Sequence, residues 1–172
     1  GNDVLVADAL INLVKIYLLK YESSKSLEYA LEAYTNYEKA GLHDKMAYAL
    51  LQMGVIYYTQ NNFTKSLEYY SDAVNEYEKG DDKYYLSTLF YLSGINYSRL
   101  NNFSSAHLFF NRALELKTML NDEQGLAECN LGLAELFIIQ KMPDSAMYYL
   151  SKTTEYTTKT NSLYGTAKAF IL

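Results

Sequence analysis

A short string of residues returns every 40 positions. Leu50, Met53-Gly54, Tyr57 and Asn61-Asn62-Phe63 reappear as Phe90, Ser93-Gly94, Tyr97 and Asn101-Asn102-Phe103. With Gly54 as the pivot, the 40-residue step gives pivots at Val14, Gly54, Gly94 and Ala134. Three residues later stands an aromatic each time: Tyr17, Tyr57, Tyr97, Phe137. Twelve after the pivot come Ser26, Ser66, Ala106 and Ala146, and fifteen after it Tyr29, Tyr69, Phe109 and Tyr149. No insertion breaks this register over four copies. A fixed period of this length marks a repeat array, in which each unit needs its neighbours to bury its apolar face.

Each copy contains two helical patterns. In the second copy Met46, Ala49, Leu50, Met53, Ile56 and Tyr57 recur at steps of three and four, the period of an amphipathic helix. Asn61-Asn62 interrupts, as asparagine favours turns and caps. Phe63, Leu67, Tyr70, Ala73, Val74 and Tyr77 then resume the period. Gly80-Asp81-Asp82 closes the copy, with Gly80 expected as helix cap and aspartate as the next N-cap. Pro143 falls in the first turn of a second helix, where its missing N–H costs nothing. The periodicity predicts helices near 3–20, 23–39, 43–60, 63–79, 82–100, 103–119, 122–140 and 143–159, with a ninth starting near 162 and breaking off. The small residues at Gly54 and Ser66 leave room for two antiparallel helices to approach, with Tyr57 and Tyr70 filling the gaps beside them.

Composition narrows the function. The net charge of −5 and pI near 5.0 lack the basic footprint of a nucleic-acid binder. No apolar run is long enough to span a bilayer. The single Cys129 excludes an internal disulfide and a thiolate zinc site. Its place among Ala127, Leu131 and Leu133 reads as buried filler. His43 and His107 have no carboxylate or cysteine at ligand spacing, so no metal and no cofactor is expected. Phosphate-loop, dinucleotide and hydrolase motifs are missing. The compartment, cytoplasmic or periplasmic, stays open.

These residues resemble the tetratricopeptide repeat. Its pattern of a large apolar residue, Leu-Gly, Tyr, Ala, Phe or Tyr, and Ala is met by Leu50, Met53-Gly54, Tyr57, Ser66, Tyr70, Ala73, and again by Phe90, Ser93-Gly94, Tyr97, Ala106, Phe110, Ala113. The period is 40 rather than 34 residues, and a Gly-Asp or Asn-Asp turn replaces the closing proline. The resemblance implies an all-α, right-handed superhelix of four helical hairpins plus a truncated ninth helix. It implies a single domain over 1–172, with repeats at about 3–41, 42–81, 82–121 and 122–161 and a partial fifth at 162–172. The tyrosine- and asparagine-rich wording looks most like arrays of bacterial signalling proteins.

In the family, the first helix of each pair lines a concave face where peptides bind. The matching positions single out Asn12, Lys15, Tyr48, Gln52, Tyr91, Arg99 and Glu135 as the peptide-binding face. The alternative is that some of these side chains pack between neighbouring pairs. The Lys/Asn/Arg clamp of the chaperone-binding members is missing, since its positions hold Ile11, Lys15, Gln52, Thr88 and Leu92. The expectation is a non-catalytic module that binds a protein or peptide partner, with no nucleic acid and no membrane insertion. A homodimer through exposed end helices is the competing reading.

Overall fold

The computed structural model describes residues 2–159. All regular structure among them is helical. The order is α1 (Asn2–Leu19), α2 (Ser23–Lys39), α3 (His43–Thr59), α4 (Phe63–Gly80), α5 (Lys83–Arg99), α6 (Phe103–Met119), α7 (Glu123–Ile139) and α8 (Pro143–Lys159). The expected ninth helix and partial fifth repeat lie outside the described residues. The helices fall into two compact units, one through Asp82 and one from Lys83. Each holds two hairpins.

The turns explain why the helices stop where they do. Tyr21, Gly41, Asn61, Asp81, Asn101, Asn121 and Lys141 all have positive φ, between 53° and 67°. The residue after each of them donates its N–H five residues back: Asn62 to the Tyr57 carbonyl at 2.9 Å, Asn102 to Tyr97 at 2.9 Å, Asp122 to Lys117 at 2.9 Å. This is the Schellman ending of a helix. At the second repeat the left-handed residue is Asp81, not Gly80, which is still in α4. The expected glycine cap is therefore corrected by one position. Side chains also start the next helix: Asn62, Asn102 and Asp122 accept from the N–H groups of Lys65, Ser105 and Gly125, satisfying donors the helix leaves open.

In the first unit, Ala7, Leu10 and Ile11 of α1, Ala33 and Tyr37 of α2, and Met46 and Ala49 of α3 form one buried cluster. Val14, Ala30, Met53 and Ile56 form a second. In the other unit Ala106 and Phe110 of α6 pack with Leu133 and Leu136 of α7. Burying one such large side chain is worth about 1.5–3 kcal/mol.

The pivots set how closely each pair approaches. A Cβ added to Gly54 would stand 2.2 Å from Cε1 of Tyr70, and one added to Gly94 2.8 Å from Cδ1 of Phe110. The Ser66 hydroxyl donates to the Gly54 carbonyl at 2.7 Å, and Ser26 to the Val14 carbonyl at 3.3 Å. Aromatic pairs fasten the turn end of each hairpin, with ring centroids 5.3 Å apart for Tyr57–Tyr69 and 5.4 Å for Phe137–Tyr149.

Candidate functional site

In the first unit, the residues expected to face a partner come from α1 and α3. Asn12 and Lys15 are exposed, and Tyr48 is half-buried. The Lys15 ammonium lies 5.5 Å from the centre of the Tyr48 ring, a cation–π distance. The structure therefore joins two of the expected residues across neighbouring inner helices. Gln52 behaves differently, for it is only 7% exposed. Its amide sits in the packing, so the expectation that it meets solvent on a binding face is corrected. Leu51 and Ile11 are buried as well.

Beside this pair lies a polar cluster that the sequence reading did not assemble. The Lys45 ammonium donates to both oxygens of Asp8, at 2.6 and 2.8 Å, and the Tyr37 hydroxyl donates to Oδ1 at 2.7 Å. The cluster ties α1, α2 and α3 together. The hydrogen bond from Lys45, and next that from Tyr37, holds the Asp8 carboxyl below its ordinary value. Burial, and then the hydrogen bond to Asp8, pushes the Tyr37 hydroxyl up. Register could have found this cluster, since Tyr37 and Tyr77 share one position and Lys45 opens the next helix.

In the second unit Tyr91 is half-buried, its ring tilted against Phe110 at 6.0 Å. Arg99 is exposed and Glu135 half-buried. Phe110 also meets α7: a Cβ on Gly132 would stand 2.8 Å from its Cε1. Gly132, beside the pivot Ala134, thus has its own role as clearance between hairpins.

The counterpart of Tyr37 in the second unit is Lys117, and it is buried at 4% exposure. Its ammonium pairs with Asp122 at 3.0 Å. Gly125 stands where the first unit has Lys45, and a Cβ there would lie 2.2 Å from the Lys117 Nζ. The cation has moved from one side of the helix contact to the other, and the missing side chain makes its space. Removing one partner of such a pair leaves a buried charge, at a cost of about 3–5 kcal/mol.

The remaining polar features are structural in their contacts. His43 Nδ1 lies 3.1 Å from Glu76 Oε2, and Lys79 pairs with the same carboxylate at 2.8 Å. They border a cleft of about 540 Å3 at the turn into α3. Its cations Lys79 and Lys45 are already paired with carboxylates. His107 packs on Phe137 at 4.8 Å, contacts Gln140 at 3.3 Å, and is pushed down by burial. Burial pushes the Cys129 thiol up to about 12. Among the described residues, no group of three or more His, Cys, Asp or Glu is placed to hold a metal ion. No helix among them is long and apolar enough to cross a membrane.

Comparison with known proteins matches residues 45–119 to the tetratricopeptide repeat. No curated protein matches. Among solved structures, aspartyl phosphate phosphatase F from Bacillus subtilis superposes with a TM-score of 0.92 at 15% identity, over 98% of this chain and 44% of that one. A Rap protein complexed with competence and sporulation factor gives 0.89 at 15% identity, over 98% of this chain and 47% of that one. BtubC from P. vanneervenii gives 0.81 at 16% identity, over 94% and 67%. The chain spans less than half the length of the first two of these neighbours. At these identities the likeness establishes the fold, a tetratricopeptide-like array of helical hairpins.

Proposed function

We propose, from the premise that residues 45–119 are tetratricopeptide repeats, that this chain is a non-catalytic interaction module. It binds a protein segment, extended or helical, along the inner-helix faces. The observation that carries the reading is the Lys15–Tyr48 pair, an accessible cation over an aromatic ring on adjacent inner helices. Aromatic and arginine side chains of this kind, partly exposed beside a packed core, are the usual anchors of an interface. Asn12, Lys15 and Tyr48 would contact the partner on the first unit, and Tyr91, Arg99 and Glu135 on the second. Gln52 would support the face from within. The solved complex of a Rap protein with competence and sporulation factor supports a binding role for this fold. We read 1–172 as one domain because the 40-residue register runs unbroken across residue 83. A sensory or scaffolding place in a bacterial signalling protein accords with the Rap likeness.

The test is to select binders from a displayed random peptide library on the 172-residue chain. Their affinity is then measured for the Lys15→Ala/Tyr48→Ala and Tyr91→Ala/Arg99→Ala variants. At least one pair should weaken binding by about tenfold, which is about 1.4 kcal/mol, with the helical circular dichroism unchanged. Selected peptides whose affinity survives both pairs would refute the assignment of the face.

A further inference from the structure

The aromatic pair at the turn end of each hairpin differs in chemistry between the two units. In the first unit both members carry a hydroxyl: Tyr17 with Tyr29 and Tyr57 with Tyr69, each pair with ring centroids 5.3 Å apart. In the second unit one member is phenylalanine each time, in Tyr97–Phe109 at 5.2 Å and Phe137–Tyr149 at 5.4 Å. The packing is common to all four pairs, so a second hydroxyl is not needed to hold a hairpin closed. In the first unit the two hydroxyls of each pair lie within hydrogen-bonding reach of each other. All four rings are half-buried, each with an edge open to solvent. Tyrosines adjacent in sequence are arranged differently. Tyr84 and Tyr85, and Tyr148 and Tyr149, meet edge-on at 5.5 and 5.1 Å. Successive residues of a helix point about 100° apart, which turns their hydroxyl ends away from each other.

A tyrosyl radical couples at the carbon ortho to its hydroxyl, so two hydroxyls in reach of each other bring two such carbons side by side. We propose that Tyr17–Tyr29 and Tyr57–Tyr69 are sites of oxidative cross-linking, each pair joining through its ortho carbons into a dityrosine when a haem peroxidase acts on the chain with hydrogen peroxide. Each phenol loses one electron and one proton. The two radicals form a carbon–carbon bond, and the hydrogens on the joined carbons shift to the oxygens, which restores both aromatic phenols. Two electrons and two protons leave each pair in all, and they reduce one hydrogen peroxide to two waters. The links tie α1 to α2 and α3 to α4 across their turns. Oxidation would therefore fasten the hairpins of the first unit covalently, while Phe109 and Phe137 leave the second unit without a link. This inference is independent of peptide binding and has its own readout.

The dilute 172-residue chain, treated with a haem peroxidase and hydrogen peroxide, should yield a single-chain fraction with dityrosine fluorescence. Peptide mapping of that fraction should find Tyr17 joined to Tyr29 and Tyr57 to Tyr69, each link with the loss of two hydrogens. The Tyr29→Phe/Tyr69→Phe variant copies the Tyr97–Phe109 pair. It should keep the wild-type circular dichroism and lose the fluorescence of the single-chain fraction. Phe109→Tyr should add a further link, to Tyr97. Fluorescence confined to cross-linked oligomers overturns the proposal. So do single-chain links that map to other tyrosines, or a folded double variant whose single chains still fluoresce. A Phe109→Tyr chain without the further link would count equally against it.

Discussion

Gly54 and Tyr70 are sixteen residues apart, and neither size makes sense without the other. Gly94 and Phe110 form the same pair in the third hairpin. In the first hairpin the volumes are exchanged: the pivot is Val14 and its counterpart sixteen residues on is Ala30, both fully buried. The fourth has Ala134 and Leu150 at these positions. Interiors at crystal-like density require such compensation. Gly54→Val alone should therefore cost about 1–3 kcal/mol or more, by overpacking against the Tyr70 ring. Tyr70→Ala alone should cost about 3–5 kcal/mol through the cavity. The double variant, which copies the first hairpin, should recover a coupling of about 0.5–3 kcal/mol. Urea denaturation measures all three. Strict additivity would mean that the exchange of volumes is accidental.

At the scale of the helix, the turns obey one rule with two exceptions. Each hairpin loop needs a residue with positive φ at positions 21, 61, 101 and 141, and the middle two use asparagine. The outer two use Tyr21 and Lys141, for which this conformation costs about 1–2 kcal/mol. Tyr21 is 93% exposed, so its ring gains nothing from burial. Tyr21→Asn should raise stability by roughly 0.5–1 kcal/mol, read as a higher denaturation midpoint with unchanged slope. A lower midpoint would show that the ring makes a contact that matters. The helix ends were legible in the sequence because asparagine, glycine and proline act through local backbone chemistry. All eight helices end within a residue or so of the expected limits. The face of a helix was less legible. Gln52 and Asn12 share one register position, yet one is buried and the other exposed, because α3 has a hairpin packed ahead of it within its unit. The Lys117–Asp122–Gly125 arrangement was hidden for a related reason. Matching to a repeat pattern draws attention to agreement, and these three residues are informative where they depart from it.

For the whole molecule, the titrating groups bound a pH window. Burial lowers His107 from its ordinary 6.5, so the unfolded chain takes up that proton first. Stability is lost as pH falls below about 6.5. Glu76 and Asp8, held below their ordinary 4.5 and 3.8 by hydrogen bonds, contribute above those values and lose that contribution as pH falls through their folded values. At the alkaline end, Cys129 rises from 9.0 to about 12 and Tyr70 from 10.0 to about 12. The unfolded chain then loses these protons first, and stability falls from about pH 9 upward. Denaturation midpoints across pH should show a plateau between about 6.5 and 9. His107→Gln should flatten the acid side until the carboxylates titrate. A midpoint that stays level from pH 6.5 to 5 in the wild-type chain would remove His107 from this account.

The exchanged volumes and the displaced lysine also constrain how such a gene can be rearranged. Gly54 and Tyr70 belong to one hairpin, so duplicating, deleting or shuffling whole 40-residue units keeps this knob with its own hole. Lys117 is different, since its carboxylate at Asp122 and the vacancy at Gly125 lie beyond the turn at Asn121. A crossover at that turn would strand an ammonium in the protein interior unless the incoming hairpin brought both residues with it. The third and fourth hairpins are thus a single heritable block, and the first two form another, because Lys45 beyond the turn at Gly41 holds Asp8 of the first hairpin.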